Sequence, residues 1–599
     1  MLSALPIAAT LLLSVTAAPA PPREIESVAA FARLYGVVRF FYPSDAAAEL
    51  DWNRFAVHGV SRVRAARDTA DLGAALEKLV APLGPGIVIG GRLAPPPPAT
   101  APGGPLVAWR YLGPGFSTMR GPYRAERTHR APREPGDGFA SLMRTALAWI
   151  RPAEVELFPE GAPTAGAHVD VELGSSLRAR VPLALTDAQA RLDPARKGDL
   201  DALHAALSSA PGPSEMPDAD QRLADVVVAW SVFRHFYPYW VEAGVDWDRR
   251  LGPQLEAARA ATSRAAQRDA LKGLVADLRD GHGFVADTLD RTQRGDLPVR
   301  LAVIEGRLIV TASAVPSEAP VGAEVVTIAG VPATDRLARA TTLVSGSPQW
   351  RQMTATWALT SGVKGATVEL GLDRGSGPRP VTLTYGTAPP PVKRPQPVAQ
   401  VEAGLWYVDL TRAKMPEVAP KLADVAAARG VVFDVRGYPT DAGFGILPHL
   451  LDAPETDRWM HVAKIVGPFY ETAGWLDVGW DMKPASPRIA GKIVFLTDGG
   501  AISYAESVMG YVADRKLGTI VGATTAGTNG NVASFPTPGG FNVGFTGMRV
   551  TRHDGHSPHH LVGVTPDVAV APTLAGLRAG RDEVLERGLA IARAGASSP

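Results

Sequence analysis

Three polar or glycine-rich stretches near the carboxyl end of this chain carry the residue types that acyl transfer requires: a nucleophile, a base and amide donors for an oxyanion. They are "DVRGYP" (Asp434 to Pro439), "TDGGAISYAES" (Thr497 to Ser507) and "GATTAGTNG" (Gly522 to Gly530). In the second, two glycines run into Ser503 and then into residues with helical spacing. Ser503 and Glu506 spell S-x-x-E, the capping box that satisfies free amides where a helix begins. The same placement would leave a serine hydroxyl exposed above the positive end of a helix, as a nucleophile needs. On the second reading Ser503 attacks, and the backbone N–H groups of Tyr504 and Gly437 form the oxyanion hole. The base would be His282, from "RDGH" (Arg279 to His282) far upstream; the competing reading of that motif is a helix C-cap glycine followed by an ordinary loop histidine.

These motifs sit at the ends of apolar strand-like runs. From Gly404 onward "LWYVDL", "GVVFDVRG", "GKIVFLTDGG" and "GTIVGATTAG" alternate with helical patterns. That is the signature of a mixed, largely parallel α/β core, with its active site beyond the carboxyl ends of the strands. Upstream, "RLIVTASA", "GAEVVTIAGVPA", "ATVELGLDR" and "RPVTLTY" are short strands broken by Gly and Pro, a compact β domain closed by the Pro-rich "APPPVKRPQPV".

The amino-terminal part contains an internal repeat at a constant offset of 195 residues. "VVRFFYPS" with "DWNR" matches "VFRHFYPYW" with "DWDR", and "AALEKLVAPL" matches "DALKGLVADL". Arg39 pairs with Arg234, Tyr42-Pro43 with Tyr237-Pro238 and Asp51-Trp52 with Asp246-Trp247. Each copy reads as a small helical module. The copies part at their ends, where Ile87 stands in the place of His282, as expected of a duplication with one working copy. The predicted organisation is a signal peptide (1–20), a degenerate helical repeat (21–94), a linker and β-rich insert (95–210) and a helical module ending in DGH (211–290). A β domain (291–386), a Pro-rich linker (387–402) and the α/β core with a C-terminal helix (403–599) complete it.

Composition narrows the chemistry further. The 599 residues exceed one core and suggest three to five domains. With 61 basic and 60 acidic residues there is no global field to draw in nucleic acid or an anionic membrane. The absence of cysteine excludes disulfides, thiolate metal sites and a cysteine nucleophile, so covalent chemistry falls to Ser or Thr. "MLSALPIAATLLLSVTAAPAPP" reads as a secretory signal with Val15 and Ala17 at the cleavage positions, although no Lys or Arg precedes Arg23 and an uncleaved anchor is the alternative. No later stretch is apolar enough to span a bilayer. The expected location is the periplasm or beyond the cell. "RHDGHSPHH", with His553, His556, His559, His560 and Asp554, raises a divalent-metal site, but its spacing suits a polar loop at least as well; no metal and no cofactor are expected. Its own "DGH" (Asp554 to His556) is a rival base that lacks the helical-module context.

From Asp218 to the carboxyl end, the ordered set "LRDGH", "GAEVVTIAGVPA", "DVRG", "TDGGAISYAES", "GATTAG" and "GVTPDVAV" resembles the tail-specific, carboxy-terminal-processing serine peptidases and their tricorn-core relatives. The resemblance implies Ser503 as nucleophile, the Gly437 and Tyr504 amides at the oxyanion hole, a PDZ-like β domain and peptide or unfolded-protein substrates. The processing peptidases pair their serine with a lysine in a motif like T-x-G-K-G, where this chain has Thr528; the tricorn-like branch uses a D-x-H histidine instead, which points to His282. That branch also has a glutamate shortly before G-V-x-P-D, where this chain has His560 or Leu561. The orienting acid is therefore unassigned, with Glu506, three residues beyond Ser503, as the candidate. Tyr438 replaces the Asn common after D-x-R-G and is expected to reshape the pocket. The competing class is a non-catalytic member of the same fold that binds peptides or hydrophobic ligands, and a third is an envelope scaffold.

Overall fold

The computed structural model describes residues 22–96, 105–129, 157–191 and 193–594. The signal-peptide reading falls on residues outside these. Among the described residues no helix is long and apolar enough to cross a membrane.

The repeated stretches fold alike. The first copy forms α1 (Arg23–Phe41), α2 (Trp52–Arg64) and α3 (Thr69–Val80); the second forms α4 (Ala219–Phe236), α5 (Leu251–Ala260) and α6 (Arg264–Ala276). Equivalent aromatics tie each copy together: Tyr35 Oη donates to the Trp52 carbonyl at 2.9 Å, and Trp230 Nε1 to the Trp247 carbonyl at 3.1 Å. The copies pack on each other where α1 crosses α4. A Cβ on Gly36 would lie 2.7 Å from His235 Nε2 and 2.9 Å from Ser231 Cβ, and Ser231 Oγ donates to the Ala32 carbonyl at 3.1 Å. Gly36 and Ser231 are equivalent positions of the repeat, so two small residues let the helices approach at a point of local symmetry.

The segment between the copies divides between two sheets. Strands His168–Gly174 and Leu177–Pro182 join Val88–Gly90 of the first module. Leu106–Leu112 pairs antiparallel with Met460–Gly467 of the carboxyl-terminal half, so this insert is built into the core.

Beyond α6, the RDGH loop leads into β1 (Phe284–Asp287). An antiparallel sheet then spans Val299–Ile304, Arg307–Ser313, Glu324–Ile328, Thr367–Asp373 and Pro378–Thr384 around its own apolar centre of Leu297, Val310, Val325, Leu370 and Leu372. Helix α7 (Pro348–Leu359) extends from it toward the core.

The core sheet contains β2 (Val398–Glu402), β3 (Leu405–Asp409), β4 (Gly430–Asp434), β5 (Lys492–Thr497) and β6 (Thr519–Gly522). Helix α8 (Tyr504–Asp514) follows β5; after β6 come β7 (Val532–Pro536), β8 (Phe541–Thr546), β9 (Val568–Ala569) and α9 (Glu583–Ala594). The sheet order is β2-β3-β4-β5-β6-β9; only β2 runs antiparallel to its neighbour. Every residue of β3 and β4 is buried, which is why these strands read as continuous apolar runs. Helix α9 covers one face through Val584, Leu585 and Ala592. Helix α8 lies on the face lined by Phe433 and Phe495 with Ala505, Val508 and Met509. The protein is thus a multidomain α/β structure with one mixed, largely parallel sheet and several antiparallel ones.

The crossing of the two modules predicts opposite signs for one substitution. Gly36→Ala gains helix propensity but must displace buried side chains, and is expected to destabilise by about 1–3 kcal/mol. Gly73→Ala in α3, where the new methyl meets only Leu177 Cδ2 at 3.6 Å, is expected to stabilise by about 0.5–1 kcal/mol. Shifts of the thermal unfolding midpoint in opposite directions would show this; equal shifts would refute the tight crossing.

Candidate active site

Strand β5 ends at Thr497 and α8 begins at Tyr504. Ser503 lies between them with φ 58° and ψ −115°, a left-handed backbone that costs a non-glycine residue about 1–3 kcal/mol. The S-x-x-E sequence does not form a capping box: the Ser503 side chain makes no cap hydrogen bond. At positive φ its Oγ is turned away from the first amides of the helix and, among the described residues, bonds to nothing. Glu506 does not reach back to the Ser503 amide either. Its Oε1 accepts from Gly527 N at 2.7 Å and from Thr525 Oγ1, and its Oε2 accepts from Thr528 N at 2.6 Å. It makes no hydrogen bond to Ser503 or His282 among the described residues; its carboxylate holds the GATTAGTNG loop against the start of α8.

That loop connects the serine to the histidine motif. Thr528 accepts from Ser503 N through its carbonyl at 2.8 Å and from Gly281 N through Oγ1 at 3.0 Å. A Cβ on Gly281 would lie 2.7 Å from Thr528 Oγ1, so the glycine of DGH serves close approach. The helix-cap reading of that glycine does not hold, because α6 ends at Ala276 and the left-handed turn is at Arg279, φ 56°. The structure therefore brings the backbones of Ser503 and of Gly281, the neighbour of His282, to one residue, while among the described residues no hydrogen bond joins His282 to Ser503 Oγ.

The imidazole of His282 is partly buried. Its Nδ1 lies 2.9 Å from Thr546 Oγ1, and its backbone N–H donates to Asp280 Oδ1 at 3.0 Å. Asp280 and Thr546 are both fully buried. Burial lowers the pKa of His282 from the ordinary imidazole value, and the negative charges of Asp280 and Glu506 oppose this only in part. The antiparallel domain and α7 hold both loops: Ser345 Oγ accepts from Asp280 N at 2.8 Å, Ser347 Oγ donates to the Ala526 carbonyl at 2.6 Å, and Gln349 Nε2 to the Thr525 carbonyl at 2.8 Å.

Gly437 follows β4 with φ 124°. Its turn rests on a buried charge network at the ends of β3 and β4. Arg436 forks to Asp434, with Nη2 to Oδ2 at 2.6 Å, and to Asp582, with Nη1 to Oδ1 at 2.8 Å. Arg394 donates to the Arg436 carbonyl at 3.1 Å and to Asp409 at 3.2 Å. Burial works against the charge of Asp582, but Arg436 outweighs it and holds the carboxyl below its usual range. Among the described residues neither the Gly437 nor the Tyr504 N–H donates a hydrogen bond. Tyr504 Oη accepts from Phe444 N at 2.7 Å, and its ring lies 5.9 Å from Tyr438 and 5.8 Å from Trp480. Tyr438 and Phe444 are solvent-exposed beside it.

The histidine-rich stretch is dispersed. His560 is buried, stacked on Tyr239 at 3.9 Å and 3.3 Å from Tyr237 Oη; burial lowers its pKa to about 4. His559 Nε2 lies 3.4 Å from Glu506 Oε1, and His556 is exposed beside Asp554. Among the described residues, Glu455, Asp457 and His553 could converge on a cation, but Arg515 already pairs with both carboxylates. Asp280, Thr528 and Thr546 are the neighbours that sequence reasoning left without a role. Asp280 stood in the RDGH motif and Thr528 at the missing lysine, while Thr546 had no local signal.

Residues 455–570, which include Ser503, Glu506, Thr528 and Thr546, match the model of peptidase family S41. No curated protein matches the chain in sequence. In three dimensions the chain is similar to mature CPAF complexed with lactacystin, at 15% identity and a TM-score of 0.52, over 63% of this chain and 99% of that one. The photosystem II D1 C-terminal processing protease superposes at 20% identity and a TM-score of 0.37 over 59% and 93% of the two chains. Tricorn protease superposes at 15% identity and a TM-score of 0.35 over 63% and 37%. Residues 455–570 of the chain thus carry the sequence pattern of peptidase family S41.

Proposed function

We propose that this chain is an exported serine peptidase, periplasmic or secreted, in which Ser503 attacks a peptide carbonyl and His282 is general base and acid. The observation that carries the reading is the Ser503 elbow: a strained residue at a helix start, its hydroxyl unengaged, tied through Thr528 to the loop of a histidine. Ser503 Oγ bonds to the carbonyl carbon as its proton passes to His282 Nε2. The N–H groups of Gly437 and Tyr504, which donate to no other group among the described residues, receive the oxyanion. His282 then protonates the departing amine as the C–N bond breaks, and a water activated by the same nitrogen releases the acyl group. The Ser503–His282 hydrogen bond is made when substrate binds.

The antiparallel domain is assigned PDZ-like peptide binding by strand addition. Its hydrogen bonds to Asp280, Thr525 and Ala526 connect such binding to the active-site loops. The exposed rings of Tyr438 and Phe444 beside Tyr504 form a shelf for a large apolar side chain next to the scissile bond.

A fluorophosphonate probe is expected to label the wild-type protein at Ser503. Ser503→Ala abolishes labelling and casein hydrolysis, and His282→Ala lowers both at least about a thousandfold. A folded wild type that binds peptide but never labels would make the protein a binder instead. Because burial depresses the His282 pKa, its base form persists into mildly acidic solution; the acid limb of kcat/KM is expected to have its midpoint below about 6.5. A midpoint above that value contradicts the assignment. With Phe444→Ala, kcat/KM for peptides carrying an aromatic residue at the scissile bond is expected to fall about tenfold relative to alanine-containing ones. An equal loss on both would remove the shelf from substrate recognition.

A further inference from the structure

We infer that Asp280, acting through the hydroxyl of Thr546, is the acid that orients His282, in place of a carboxylate bonded directly to the imidazole. The inference rests on reading Ser503 and His282 as nucleophile and base, and it assigns the third member of that group.

Asp280 Oδ1 accepts from His282 N at 3.0 Å and from Thr546 Oγ1 at 2.7 Å, and Oδ2 accepts from Thr546 N at 2.6 Å. A carboxylate can only accept, so the single hydroxyl proton of Thr546 points at Asp280. Toward His282 that oxygen then offers a lone pair, and the 2.9 Å contact must be bridged by a proton on Nδ1. The remaining nitrogen, Nε2, is left unprotonated, as a general base requires. When Nε2 takes the Ser503 proton, the Nδ1 proton stays in place and the imidazolium charge is balanced by Asp280 across the polarised hydroxyl. No proton need travel along the chain.

The fold supplies the geometry. Strands β1 and β8 pair antiparallel with Gly544 opposite Phe284, and continuing that register by two residues sets Thr546 opposite His282. The register is locked because the Phe284 ring lies across Gly544, where a Cβ would come within 2.0 Å of it. The other titratable groups acting on His282 are Glu506 and His560. Glu506 spends its oxygens on Thr525, Gly527 and Thr528, and His560 is neutral in its apolar stack. Among the described residues no carboxylate touches the His282 ring. Asp280 and Thr546 are thus positioning residues.

The test is the rate of fluorophosphonate labelling at Ser503 as a function of pH, with casein hydrolysis alongside, in wild type, Thr546→Val, Thr546→Ser and Asp280→Asn. Thr546→Val keeps the shape but removes the hydroxyl, and is expected to slow labelling and kcat about a hundredfold with KM little changed. Thr546→Ser restores both to within about threefold of wild type. Asp280→Asn is expected to move the acid limb to lower pH, since the negative charge that favours imidazolium is gone. Wild-type rates and an unmoved midpoint in Thr546→Val overturn the relay while leaving Ser503 as nucleophile. Equal slowing in the valine and serine variants also overturns it, by assigning Thr546 to packing. Absence of wild-type labelling overturns relay and peptidase reading together.

Discussion

Thr528 is the point on which the site depends. Its amide donates to Glu506, its carbonyl accepts from Ser503, and its hydroxyl oxygen accepts from Gly281. One residue thereby fixes the end of β6, the start of α8 and the loop after α6, three elements from distant parts of the chain. Each bond satisfies a backbone N–H; for the fully buried Thr528, leaving it unpaired would cost about 1–3 kcal/mol. Glu506 closes the arrangement from below by accepting the amides of Gly527 and Thr528. Thr528 is thus a structural clamp that ties the core to the helical module carrying His282.

The duplication explains how a module outside the core can present a side chain reliably. In both copies the tyrosine of the YP motif anchors the chain that follows the last helix: Tyr42 Oη donates to the Pro85 carbonyl and Tyr237 Oη to that of Leu278. In the first copy this chain runs into a strand of a small sheet; in the second it passes beneath the active-site loops as Asp280, Gly281 and His282. The first module supports the second through the close crossing at Gly36 and Ser231. The insert strand Leu106–Leu112 adds to the carboxyl-terminal half. The repeat and insert therefore brace one face of the peptidase domain.

At the opposite side of the site, the turn carrying Gly437 rests on Asp409 and Asp434, both without solvent exposure. Burying two carboxylates is tolerable only because Arg394, Arg412 and Arg436 surround them and Tyr407 Oη and nearby amides fill their remaining lone pairs. Such a network resists deformation, since loss of one partner strands a charge. The Gly437 turn is thereby held rigid at the end of β4.

The α/β core was legible in the sequence because buried parallel strands leave continuous apolar runs, and the motifs at their ends mark where loops must be polar or glycine-rich. Ser503 and Gly437 became candidates for that reason and His282 because the two copies of the repeat diverge there, and the repeat gave the helices of both modules through their shared spacing. Local pattern misled at Ser503 and Glu506: S-x-x-E fits a capping box, but the positive φ of Ser503 turns its hydroxyl away, and Glu506 is claimed by amides some twenty residues downstream. The competing helix-cap reading of Gly281 failed because its lack of a side chain serves contact with a residue nearly 250 positions away. Thr546 left no signal at all, since its place opposite His282 follows from the register of β1 and β8. The sequence by itself determined which elements form and which residue types stand at their ends, because periodicity and turn chemistry are local. Which of those residues meet, which oxygen faces the imidazole and which carboxylate is already spent were decided by tertiary structure alone, because hydrogen bonds between distant strands and loops depend on packing that no short stretch encodes.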